Sequence, residues 1–64
     1  MIQSRVIIKM LQDAGWVYIG SKGDHAQFEH PEKTGKITVP HPVHDLKIKT
    51  VISIEKRSGL RLRK

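Results

Sequence analysis

The chain has 64 residues, no cysteine, and twelve Lys and Arg against six Asp and Glu, a formal net charge of +6. That length bounds it to one thin domain, residues 1–64, because a chain of ~60 residues buries only about 60% of the surface its unfolded form exposes. Without thiols, disulfides and thiolate metal centres are excluded; no apolar run approaches the ~20 residues of a membrane span, and Met1 to Arg5 lack the long apolar core of a leader, so a cytoplasmic protein is expected.

The first element reads as a helix. Ser4 is a candidate N-cap, and Ile7, Met10, Leu11 and Ala14 fall at i, i+3, i+4 and i+7, one buried stripe. Gly15 stops the helix in a left-handed conformation, which predicts that Trp16 folds back on Leu11. Three short strands follow. Trp16 to Ile19 is rich in aromatic and β-branched residues, and Gly20 to Gly23 carries turn chemistry. His25 to His30 alternates, with Ala26 and Phe28 on one face and His25, Gln27 and Glu29 on the other. Pro31 to Gly35 reads as a turn, and Lys36 to Val39 alternates again until Pro40, which has no N–H to donate to a ladder. Connections this short predict an antiparallel meander.

A second helix is expected between Asp45 and Ser58, with Val51, Ile54 and Ser58 inward and Leu46 and Ile48 closing its N-terminal end. Thr50 is a candidate N-cap inside this stretch, and Gly59 ends the helix so that Leu60 packs back on Ile54. From Lys47 onward seven basic residues, ending in Lys64, accompany the single acid Glu55. Such asymmetry suits a polyanionic partner or a solvated face equally well. The predicted fold class is α+β, a three-stranded antiparallel sheet with two helices on one face. The other face is left open, and alternation places His25 there.

An imidazole has an unperturbed pKa of ~6.5 and takes or gives a proton near neutrality. RNA offers a matching chemistry, since a deprotonated 2′-hydroxyl attacks its own phosphate. His25 is therefore the candidate catalytic residue, with an ordinary exposed strand histidine as the alternative. Asp24 is a secondary candidate for orienting the ring, although neighbouring strand residues point to opposite faces. His41 is either a corner residue between Pro40 and Pro42 or a lesser member of the site. His30, His41 and His44 lack a recognisable ligand spacing, so no metal is expected. Lys47 and Lys49 stand near a helix start, where cations are disfavoured, and are candidates for holding a phosphate. Trp16 and Tyr18 are candidates for stacking on bases, with Trp16 assigned to the core.

Read together, Leu11 to Val17 with its Gly15-Trp16 stop, Lys22-Gly23-Asp24-His25-Ala26-Gln27-Phe28, Thr38-Val39-Pro40-His41-Pro42, and Leu46 through Gly59-Leu60 resemble the HicA-type toxins (the HicA/YcfA-like family) along essentially the whole chain. The resemblance implies a fold like a double-stranded-RNA-binding domain, in the order α-β-β-β-α. It implies metal-independent cleavage of mRNA and a HicB-type antitoxin as partner, with no cofactor and no membrane. By position it makes His25 the catalytic histidine and Gly23 the turn glycine; the candidates for contacting RNA are Lys22, Gly23, Lys47 and Lys49. Asp24 stands where the family often has serine, and Ala26 where many members have a second histidine. Water, a lysine or His41 is then left to protonate the leaving group. The readings are thus a ribonuclease toxin, a non-catalytic RNA-binding module of the same fold, or a protein whose basic surface serves mainly its antitoxin.

Overall fold

A computed structural model of the chain describes residues 2–63. It contains α1 (Ser4–Asp13), β1 (Val17–Lys22), β2 (His25–His30), β3 (Lys33–Pro40) and α2 (Ile48–Ser58). The strands pair antiparallel in the order β1-β2-β3, so the expected helix–strand–strand–strand–helix architecture is borne out. Lys64, counted above among the basic residues, lies outside the described residues.

The register decides which face is core. Phe28 stands opposite Tyr18 on β1 and Ile37 on β3, and Ala26 opposite Ser21 and Val39. Phe28, Ile37, Val39, Ile7, Leu11, Val51 and Ile54 are all buried in one cluster, so both helices cover this side of the sheet. Met10, expected in the core, is only partly buried at its edge. Ala26, read on the Phe28 face, and Leu46, read at the N-terminal end of the second helix, are buried in the same cluster; Leu62, which no predicted element included, completes it, while Ile48, expected beside Leu46, is exposed.

The helix ends show why the chain turns where it does. Trp16 N–H donates to Leu11 O at 2.9 Å and Gly15 N–H to Gln12 O at 3.0 Å, the paired bonds of a Schellman stop. Gly15 has φ +98, and a Cβ there would stand 2.9 Å from His30 Nε2. The His30 ring fills that space, edge-on to Trp16 with centroids 5.2 Å apart. Its Nδ1 accepts from Glu32 N–H at 3.0 Å and its Nε2 donates to Ala14 O at 3.2 Å. His30 is therefore a structural residue that ties the sheet to the end of α1.

Several local expectations need correction. Gln3, not Ser4, occupies the N-cap position of α1, and no side chain caps that helix. Pairing in β1 runs past the expected turn to Lys22, with a bulge between Tyr18 and Gly20, and the loop is only Gly23-Asp24. A positive φ at Gly23 alone is the sign pattern of a type II′ hairpin, whose twist matches its strands. Likewise β3 starts at Lys33, because Lys33 already pairs with His30 across Pro31-Glu32, and the irregularity around Gly35 is absorbed within the strand. The second helix starts at Ile48 rather than Asp45, with Lys47 and not Thr50 at the N-cap. Leu46 N–H instead donates to Ile2 O at 2.8 Å, so residues 41–47 form a corner stitched to the N-terminus of α1.

Candidate functional site

His25 opens β2 immediately after the Gly23-Asp24 loop and is exposed. Its register partners are Lys22 on β1 and Pro40 on β3, so all three share the uncovered face. Directly opposed residues of an antiparallel pair hold their Cβ atoms roughly 4.5–5.5 Å apart. The Lys22 and His25 side chains thus start side by side on that face. Gly23 makes this possible, since φ +60 closes the loop in two residues. Farther along the same face lie Gln27 opposite Thr38 and Glu29 opposite Val17. Val17 and the bulge residue Ile19 are exposed apolar side chains.

His41 joins this end of the molecule from the other side. Its backbone N–H donates to Asp24 O at 2.7 Å, which locks the corner after β3 onto the His25 hairpin. Its side chain turns toward α1, where Nδ1 meets the Ser4 hydroxyl at 2.7 Å. Ser4 is 1% exposed, and its Oγ also accepts from Val43 N–H at 2.9 Å. Among the described residues no other acceptor pairs with that hydroxyl, so it donates to Nδ1 and the His41 ring carries its proton on Nε2. The buried serine is the residue that sequence reasoning assigned to the wrong task. No local signal distinguished a cap from a partner 37 positions away.

The remaining candidates divide. Asp24 is exposed in the loop and contributes its carbonyl, while among the described residues no hydrogen bond joins its carboxylate to the His25 ring. Lys22, Gly23, Asp24, His25 and His41 are brought together by the hairpin and corner. Lys47 and Lys49 lie beyond that corner, exposed at the start of α2, and among the described residues no hydrogen bond links them to His25. His41 and His44 line one hollow with Arg5. Among the described residues no three His, Asp or Glu side chains converge as a metal site would require.

At the opposite end, Glu55 was unforeseen. Its Oε2 accepts from Leu62 N–H at 2.8 Å and Arg63 N–H at 3.0 Å, and Oε1 from Arg63 Nε at 2.9 Å. The Leu62 bond first, then those of Arg63, hold its carboxyl below its ordinary value, against a partial burial that works the other way. The one acid of the basic C-terminal stretch thus binds the tail to α2, leaving Lys56, Arg57 and Arg61 exposed.

No helix among the described residues is long and apolar enough to cross a membrane. No curated relative matches the chain significantly. A family model described as the HicA toxin of bacterial toxin–antitoxin systems matches residues 4–60, from the buried Ser4 to the end of the Gly59 helix stop, and so takes in the hairpin, His25 and the corner at His41. On that span the chain belongs to the HicA toxin family.

Proposed function

We propose that this toxin acts as a metal-independent endoribonuclease on mRNA in the cytoplasm, with His25 as its catalytic residue. One observation carries the reading: in a chain of this toxin family, His25 is exposed on an uncovered sheet face, with Lys22 opposite it in register. The chemistry needs little more. His25 takes the proton of a ribose 2′-hydroxyl, and the oxygen attacks the adjacent phosphorus. The P–O5′ bond then breaks, leaving a 2′,3′-cyclic phosphate and a 5′-hydroxyl end once the leaving oxygen gains a proton. A positioned group of this kind contributes roughly 10²- to 10⁴-fold. Lys22 and the Gly23 loop face the phosphate, and Lys47 and Lys49 extend the basic track to flanking nucleotides. Because the His41 ring turns toward α1, Lys22 or water is better placed than His41 to supply the last proton.

The partner is a HicB-type antitoxin. A stable complex of standard size buries ~800 Å² per partner, about a sixth of the 4696 Å² this chain exposes. That area covers His25 and the open strands, with Val17 and Ile19 as apolar anchors inside an acidic, fast-associating surface.

The experiment is induction of the wild-type chain and His25→Ala in a bacterial host without antitoxin, with growth and mRNA ends followed together. Cleavage by the purified protein persists in EDTA, spares DNA, and is lost in His25→Ala with the fold intact. A folded His25→Ala protein as toxic as wild type refutes the catalytic assignment, and RNA binding without cleavage then becomes the reading.

A further inference from the structure

Between α1 and the β1–β2 hairpin, on the side of the sheet away from His25, lies a hollow of about 290 Å³. Ala26 and Phe28 form its floor, and Ile8 closes the side toward α1. Tyr18 stands on the strand side, half exposed, its ring braced edge-on against Phe28 with centroids 5.7 Å apart. The rim is polar, with Ser21, the Gly23 loop and His41. Among the described residues no carboxylate lines it. We propose that this hollow is a nucleobase subsite: one unstacked base of a single-stranded RNA enters it, stacks against Tyr18, and accepts a hydrogen bond from His41 Nε2–H.

Three observations support this occupant. The volume falls just below the ~300–1,000 Å³ of ligand pockets, which suits one ring system better than a whole nucleotide. Apolar floor, aromatic wall and a few convergent polar groups are what a planar heterocycle needs for stacking and edge recognition. Finally, the Ser4 hydroxyl occupies His41 Nδ1, so Nε2 is left to a ligand as a donor only, and Ser21 adds a hydroxyl of either sense. The hollow shares the Gly23 loop with Lys22 and His25, so a strand crossing that loop places its backbone on one side and a neighbouring base on the other. A base inside a duplex is stacked and paired and does not enter. The inference rests on the ribonuclease reading and adds to it a substrate class, single-stranded or looped RNA, and a base preference at one position beside the cut.

The test uses the full-length His25→Ala protein, so that RNA stays intact, and a short single-stranded oligoribonucleotide of mixed sequence followed by NMR. The Tyr18 ring and the Ser21 and His41 resonances are expected to move and to show contacts to base protons. The same strand annealed into a duplex should leave them still. Tyr18→Ala should weaken binding about 5- to 150-fold, from the usual worth of one base–aromatic stack. Tyr18→Phe, which keeps the ring, should restore it and controls for folding. In the catalytically intact protein, Tyr18→Ala should flatten base preference at one position next to the cleaved bond. Single-stranded RNA that binds and shifts the His25 face, with Tyr18 and Ser21 unmoved, overturns the subsite and leaves the ribonuclease reading standing. Resonances that move with an antitoxin and never with RNA overturn it equally. Failure of the protein to bind RNA at all overturns both.

Discussion

Gly15→Ala is the sharpest single test of how this fold is held. An alanine there suffers twice. The left-handed backbone costs about 1–2 kcal/mol for a residue with a Cβ, less a fraction of 1 kcal/mol returned because the unfolded chain is stiffer. The Cβ also meets His30 Nε2 at 2.9 Å, so the ring must shift. Its bond to Ala14 O is then lost, about 1 kcal/mol, together with the edge contact on Trp16, about another 1 kcal/mol. The expected cost is therefore about 2–3.5 kcal/mol, against the ~3–10 kcal/mol that a chain of this size holds in total. Urea unfolding of Gly15→Ala, His30→Ala and the double variant separates the two causes. Once His30 is gone, Gly15→Ala should cost only the backbone part, giving a coupling of about 2 kcal/mol. Equal cost in both backgrounds would refute the steric half of the argument and leave a purely conformational glycine.

Phe28→Ala, at a side chain fully buried between both helices and the sheet, should destabilise by about 3–5 kcal/mol in the same urea assay. Ser4→Ala should cost about 1–3 kcal/mol by leaving Val43 N–H without its acceptor, and should free His41 Nδ1, visible as a change of tautomer in ¹⁵N spectra. Glu55 gives a pH signature. Its folded value is lowered, so its contribution is complete above the ordinary carboxylate value of about 4.3 and is lost as pH falls through the lower folded value. Glu55→Gln should thus be less stable than wild type at neutral pH and should converge with it in acid.

What was legible in the sequence is what is local. Gly15-Trp16 after a 3.6-residue stripe announces a Schellman stop because all its bonds close within six residues. The alternation of β2 and β3 likewise placed Phe28, Ile37 and Val39 inside and His25 outside. Turn limits were less legible. Gly20 to Gly23 has turn composition, yet pairing continues to Lys22 because a bulge absorbs Gly20 and one positive φ at Gly23 closes the loop. The start of α2 was misplaced because Leu46 N–H is taken by Ile2 O, a bond from the far end of the chain. Ser4 satisfied the local pattern of an N-cap while its real partners were His41 and Val43. Within the site, Lys22, Gly23 and His25 are adjacent in sequence and were found together. The tautomer of His41 and the hollow under Tyr18 depend on contacts between distant segments, which composition and spacing do not encode.

The strand order β1-β2-β3 puts the His25 strand in the middle, bonded on both edges. A central strand opens only when the sheet around it opens, so its amides should exchange close to the rate of global unfolding. The imidazole is therefore mounted on the least labile backbone in the molecule. Under the direct masking proposed above, the delay before the toxin acts would be the lifetime of the complex with its inhibitor, with no refolding step to add.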